Sequence, residues 1–349
     1  MLVMRPIELS DLDSLMDLLA DAGHGLTSLP RDEAILTKRI RISIDSFADP
    51  LHQGPNGEVY LFVMEDSASG DMAGVCGIIS KIGGFEPYYF LESKQSEHES
   101  RMLGIKQTIH TLHFYKTHSG PAEICSIFLS PRFRNSQNGR FLSLSRFLFI
   151  AEYRNRFEHH IIAEMRGMVD ENGHSPFYSA VGQKFFQIPF TEADKLTMVN
   201  KSFVEEMLPM APIIVELLPS DAQYVIGRVH PQTEAALKIL QYEGFKKTNL
   251  LGIFEPGPIV KAEVDELRSV KDSKKLVIGN IVDELIDINK SDESDHLRST
   301  YIISNCKSEK YKACLGPIQI ENGQATITLA CAAALRVKVG DAIRFVTLK

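Results

Sequence analysis

Glu123-Ile124-Cys125-Ser126-Ile127-Phe128-Leu129-Ser130-Pro131-Arg132-Phe133-Arg134-Asn135-Ser136-Gln137-Asn138-Gly139-Arg140 is the stretch on which the fold reading turns. Its apolar run at 124–129 has the length of a buried strand, and Pro131 ends it. Arg134 to Gly139 read as a polar loop. Residues 141–154 are apolar on most sides of a helix, a pattern that buries against a sheet. A loop before a helix N-terminus presents free N–H groups and the positive end of the helix dipole, which suits a phosphate or pyrophosphate. Arg132, Arg134 and Arg140 add positive charge. The loop holds one glycine and neither GxGxxG nor GxxxxGK[ST], so on its own it reads as an exposed basic loop.

Working outward, residues 2–5 read as a first strand stopped by Pro6. Ser10 is a candidate N-cap for a helix carrying Leu12, Leu15, Met16 and Leu19 on one face, ended by Gly23 and Gly25. A second helix is expected over 32–47, then strands at 59–65 and 73–82 joined by the polar turn 66–71. Residues 83–120 read as a hairpin or an irregular excursion. A strand is expected at 161–168, followed by a turn at 170–173. Residues 175–186 and 233–245 echo each other as short helix, glycine and aromatic strand opening, which suggests a duplicated α/β module. The polar stretch 291–295 reads as a linker. Beyond it, strands at 325–329 and 342–348 with a turn at Gly340-Asp341 form a small β-rich tail.

The chain has 349 residues, a length that suggests two domains with room for a small third. With 38 basic against 45 acidic side chains, its net charge is −7. No basic block is present, which argues against nucleic acid as a partner. No apolar run is long enough to span a membrane, and the N-terminus lacks a signal-peptide pattern. Five cysteines without a CxxC pair argue against a disulfide framework or zinc ribbon and fit a reducing cytoplasm. HExxH and GxSxG are absent, so no metal is expected and no serine elbow. Cys125 lies in an apolar run, where an inert buried thiol is the simpler reading than an acyl carrier.

The strand–loop–helix segment resembles the GNAT superfamily of acyl-CoA N-acyltransferases, whose loop Arg/Gln-x-x-Gly-x-Gly/Ala holds the coenzyme A pyrophosphate. Here Arg134 and Gly139 match and Gln137 replaces the middle glycine. A closer resemblance, to bacterial arginine N-succinyltransferases, covers nearly the whole chain. It is carried by Gly25-Leu26-Thr27-Ser28-Leu29-Pro30, Ala163-Glu164-Met165-Arg166-Gly167, Ser175-Pro176-Phe177 and Val229-His230-Pro231-Gln232-Thr233. The resemblance implies an α/β (α+β) fold of two GNAT-like halves, 1–195 with the pyrophosphate loop and 196–270 with a catalytic histidine, plus the β-rich region 271–349. It implies succinyl transfer from succinyl-CoA to the α-amine of L-arginine, in arginine catabolism, with succinyl-CoA as a cosubstrate and no tightly bound cofactor. A homo-oligomer is possible on this reading. It also assigns Ile127 as a succinyl-CoA contact and His230 as the proton donor.

An apolar Ile127 can contribute only backbone groups, which would bond the pantetheine amides. Histidine near pKa 6.5 can exchange a proton with an amine or a departing thiolate at neutral pH. Arg134, Asn138 and Gly139 are the expected pyrophosphate contacts. An arginine substrate needs a carboxylate for its guanidinium, for which Glu123, Glu164 and Asp170 are candidates, and a cation for its carboxylate, for which Arg166 is one. Ser28 or Arg140 could meet the succinyl carboxylate. Two alternatives stay open: a related N-acyltransferase with another acceptor or acyl group, and a non-catalytic acyl-CoA or amino-acid sensor.

Overall fold

The computed structural model describes residues 1–22, 26, 28–49, 54–285 and 300–348. Gly23, Gly25, Thr27 and the expected linker at 291–295 lie outside the described residues. β1 (Leu2–Pro6) leads through a 3-10 turn into α1 (Leu12–Ala22). Asp11 Oδ2 accepts the Glu8 N–H at 2.7 Å, and Arg5 donates to both Asp11 oxygens at 2.7 and 2.8 Å and to Glu65 Oε2 at 2.7 Å. Glu8 and Asp11 therefore set the helix entry, and Ser10 does not. α2 (Glu33–Ala48) starts as expected because Asp32 Oδ1 caps the Ile35 N–H at 3.1 Å. β2 (Val59–Asp66) and β3 (Met72–Ile79) form the expected hairpin.

The ambiguous stretch resolves into a long antiparallel ribbon, β4 (Tyr88–Ser100) with β5 (Ile105–Thr117). β6 (Ala122–Leu129) is followed by α3 (Ser136–Glu152), which begins earlier than Phe141. The reason is Asn135, whose Oδ1 accepts the Asn138 N–H at 2.7 Å and nucleates the first turn there. Most of the residues expected in the polar loop are therefore helical. β7 (His160–Glu164) stops short of Met168, and past it the chain lies so close to the backbone of Glu255 and Gly257 that a Cβ at Gly167 would collide with it.

Short helices come next: α4 (Pro176–Ala180), α5 (Gly182–Phe186), α6 (Phe190–Leu196) and α7 (Ser202–Met207). Phe185 and Phe186, expected to open a strand, are helical. Phe186 packs its ring 5.3 Å from Phe203 and 5.6 Å from Phe254, and this aromatic cluster outweighs the β preference of the pair. β8 (Ile213–Ile214), α8 (Ser220–Val225), α9 (Glu234–Glu243), β9 (Lys246–Leu251) and β10 (Pro258–Glu263) follow. Here the second echoed unit does run helix, glycine, strand, with Gly244 at φ +113° ending α9.

After α10 (Arg268–Lys271) the chain is β-rich, as expected. It comprises β11 (Lys274–Val282), β12 (Tyr301–Asn305), β13 (Ala313–Gly316), β14 (Ile318–Glu321), β15 (Gln324–Thr328), the short helix α11 (Leu329–Leu335) and β16 (Ala342–Thr347).

These strands join one sheet in the order β14-β15-β11-β16-β12-β13-β1-β2-β3-β6-β7-β10-β9-β4-β5-β8. The fold is mixed α/β. α3 lies on this sheet with Phe141, Leu142, Phe147, Leu148, Phe149 and Ile150 all fully buried. It is covered from outside by Leu237, Leu240, Val264 and Leu267, which explains why it is apolar nearly all round. Among the described residues, no helix is long and apolar enough to cross a membrane.

Candidate active site

The site begins with a failure of strand pairing. β6 and β7 run parallel, but they are paired only at Ala122 with Ile161 and Glu123 with Ile162. Beyond Glu123 the strands diverge, and among the described residues the edge of β6 from Ser126 to Leu129 faces no strand on that side. Ser126 has φ +54°, and it inserts an extra residue opposite β3 between the pairs Gly77–Cys125 and Val75–Phe128. Such a bulge bends the strand and re-aims its backbone groups. The Gly77 and Cys125 carbonyls are met from below by the buried guanidinium of Arg146, at 3.3 and 3.4 Å. Ser28, in the loop before α2, lies with its Oγ 2.9 Å from Ser126 Oγ and ties that loop to the bulge.

The divergence opens a cleft of about 290 Å³, whose walls include Ser28, Ser126, Ile127, Glu164, Lys201 and Glu255. At the vertex, the Tyr88 hydroxyl is 3.2 Å from Glu123 Oε1 and 2.8 Å from Glu164 Oε2. A phenol has one proton to give, so its second short contact needs a carboxyl proton coming the other way. The titration behaviour agrees. Burial, then the neighbouring Glu164, pushes Glu123 up to about 7. Loss of solvation also raises Glu164, although its side chain touches the open cleft, because protein surrounds it on the other sides. Lys201 lies with Nζ 4.2 Å above the Tyr88 ring; burial lowers its pKa and the two glutamates oppose the shift. At the other side of the cleft, Glu255 Oε2 and Arg166 Nε are buried without a hydrogen-bond partner among the described residues, as is Arg39 Nε near Glu123. Unpartnered carboxyl and guanidinium atoms in one cleft are left for a ligand to complete.

A family model described as "Arginine N-succinyltransferase beta subunit" matches residues 2–269, and one for the C-terminal domain of the same subunit matches residues 288–347. The chain belongs to the arginine N-succinyltransferase family. An arginine N-succinyltransferase of Citrobacter koseri is 36% identical over all of this chain and 98% of its own length. One of Salmonella schwarzengrund is 35% identical over the same shares. The solved structure of arginine/ornithine succinyltransferase subunit AI from Pseudomonas aeruginosa superposes with a TM-score of 0.87 at 32% identity, over 100% of this chain and 99% of that one.

In this family member the fold brings Ser28, Glu123, Ile127, Glu164 and Arg166 to one cleft. Ile127 lies on the unpaired part of β6, with its side chain partly buried against the core, so its backbone is what the cleft can use. Asp170 does not join them: its side chain caps the turn, accepting from the N–H groups of Asn172 at 2.9 Å and His174 at 2.8 Å. Arg140 is exposed on the first turn of α3, outside the cleft walls. Around the expected pyrophosphate loop, Arg134 folds back to Leu129 O at 3.0 Å with its guanidinium 5.6 Å from the Phe128 ring. The Asn138 N–H is taken by Asn135, and the Gly139 N–H donates to Asn135 O at 3.1 Å. The leading N–H groups without a partner among the described residues are those of Ser136 and Gln137. A side chain at Gly139 would meet no protein atom, so that face is open.

His230 precedes the 3-10 turn Pro231–Thr233 and stands behind Arg166, to whose carbonyl its N–H donates at 2.8 Å. Its side chain is not among the cleft walls. Nδ1 accepts the Gln232 N–H at 3.2 Å, which assigns the neutral ring's proton to Nε2. Burial, then the charge of Arg166, lowers its pKa and favours that neutral form.

Tyr88, Lys201, Glu255 and Arg39 escape a reading of sequence order, because each arrives from a different segment. Gly252 carries the one local hint. A Cβ there would collide with Glu164 Oε1 and lie 3.0 Å from Glu255 O, so glycine lets the Glu164 carboxylate lie against the backbone. Gly252→Ala is expected to raise KM for the acceptor about ten-fold by displacing that carboxylate. Steady-state kinetics with varied acceptor checks this, and an unchanged KM would refute it.

Proposed function

We propose that the chain transfers the succinyl group of succinyl-CoA to the α-amine of L-arginine by direct attack. The observation that carries this reading is the shared-proton set Glu123–Tyr88–Glu164 at the vertex of the diverging strands. The free edge of β6 accepts the pantetheine amides at Ile127, and the leading N–H groups of α3 with Arg134 face the pyrophosphate. The thioester carbonyl then lies near the vertex.

L-Arginine brings two cationic groups and one carboxylate. The cleft offers two acidic stations, the vertex pair and Glu255, and the cation Arg166. An ammonium cannot attack; it must first lose a proton. The vertex acids, one of them titrating near neutrality, accept it. The amine nitrogen then bonds to the carbonyl carbon, the carbon–sulfur bond breaks, and the nitrogen's second proton passes to the departing thiolate. His230, neutral and with its Nε2 proton held by the Val169 backbone carbonyl, becomes a hydrogen-bond donor toward the reacting groups once it leaves that carbonyl and Arg166 shifts onto the substrate carboxylate. Ornithine, named for the P. aeruginosa relative, shares the α-amino acid end and a distal cation, so it is a second acceptor to try.

The test is thiol release on mixing the protein with succinyl-CoA and L-arginine, with mass detection of the N-succinyl product. Release dependent on arginine is expected. Binding of the thioester with no release for any amine would sink the transferase reading in favour of a sensor.

A further inference from the structure

We propose that Arg39 anchors the free carboxylate of the acyl group, and so selects a dicarboxylic acyl-CoA over a plain one. This rests on the acyl-transfer reading above and asks what the donor's tail would meet. A succinyl thioester ends in an anion two methylenes past the reacting carbon. A cleft that prefers it needs a cation near the vertex, shielded from water.

Arg39, Arg146, Arg166 and Lys201 all border the cleft. Arg146 is committed to the carbonyls of Ser143, Gly77 and Cys125. Lys201 lies over Tyr88, facing Glu123 and Glu164. Arg166 shares its side of the cleft with Glu255 and His230. Arg39 and Arg166 both lack a side-chain hydrogen bond, ion pair or ring contact among the described residues, and the Nε of each is sealed from solvent without an acceptor; Arg166 faces the Glu255 carboxyl across the cleft, whereas Arg39 lies at the vertex. It feels Cys125 and Glu123, near where β6 leaves β7, and the like charge of Lys201, which adds to the positive field offered to an anion.

A guanidinium in that state is costly to the empty protein and is repaid only by an incoming anion. Its planar fork suits a carboxylate. It comes from α2, which packs Leu36 and Ile40 on the sheet face that bears Leu61, Val63 and Val75. The acyl tail runs from the free edge of β6 toward it. Arg140, considered for this role on sequence grounds, faces solvent instead.

The experiment is calorimetric titration of succinyl-CoA and acetyl-CoA into the wild type, Arg39→Met and Arg39→Lys. The wild type should bind succinyl-CoA at least about ten-fold more tightly than acetyl-CoA. Arg39→Met should raise the succinyl-CoA Kd about 100-fold and bring the two donors together. Arg39→Lys, which keeps the charge and so the fold, should lose about ten-fold for succinyl-CoA with little change for acetyl-CoA. Two Kd values rising in parallel, or an unmoved succinyl-CoA Kd, would overturn the assignment. So would a wild type indifferent to the acyl tail, even if acyl transfer to arginine is observed. Conversely, donor discrimination lost in Arg39→Met would uphold it even if no thiol is released with arginine.

Discussion

Glu123→Gln is expected to lower kcat with succinyl-CoA and L-arginine by about 10²–10³-fold, the usual worth of a positioned base. Glutamine keeps the size and can still bond Tyr88, so the variant removes proton acceptance more than packing. The pH profile carries the sharper signature. Glu123 titrates at about 7 in the folded protein against 4.5 as its ordinary value, raised by burial and then by Glu164. Wild-type kcat should therefore climb between pH 6 and 8, and that inflection should vanish in Glu123→Gln. A variant within two-fold of the wild type, or one that keeps the inflection, would remove Glu123 from the proton path.

The same shift has a consequence for stability, with a definite sign. The folded state holds the Glu123 proton to higher pH than the unfolded chain does, so folding takes up protons between 4.5 and about 7. Stability of the ligand-free wild type should fall as pH rises through that window. Glu123→Gln should lack this contribution.

The second large effect lies away from the cleft. Glu243, at the end of α9, is fully buried with its carboxylate 2.7 and 2.8 Å from two nitrogens of Arg268 and 2.8 Å from the Ser269 N–H. Arg268 also reaches Thr347 O at 3.4 Å and lies over the Tyr242 ring. One carboxylate thus fastens α9, the start of α10 and the last residue of β16. Glu243→Ala strands the guanidinium and a backbone N–H, and should cost about 3–5 kcal/mol. Glu243→Gln should cost less, because the amide oxygen still accepts from Ser269. Urea unfolding measures both, and a loss under about 1 kcal/mol would class the pair with exposed ion pairs.

What the sequence discloses follows from the range of the forces involved. Apolar periodicity places α1, α2, the β2–β3 hairpin and β6 because each depends on neighbours in the chain. The start of α3 is missed because Asn135, a capping side chain, nucleates a turn that looks like loop composition. That single cap changes the proposed phosphate donors from Asn138 and Gly139 to Ser136 and Gln137. Phe185 and Phe186 are misread because partners from residues 203 and 254 decide their conformation. Within the cleft, Glu123, Glu164 and Arg166 are legible as charges at strand ends. Tyr88, Lys201, Glu255 and Arg39 are not, since only the folded sheet brings those four segments to one vertex.

β1 is paired on both sides, with β2 through Leu2 to Pro6 and with β13 at Val3 and Met4. An interior strand thus leaves the ribosome long before one of the two strands that flank it. Roughly 300 residues must be synthesised before residues 313–316 can close that flank, at rates of about 5–20 residues per second. For many seconds the nascent protein carries a naked ladder of amides along β1. Deleting the final strands should therefore yield a chain that clumps during synthesis rather than a trimmed but serviceable enzyme.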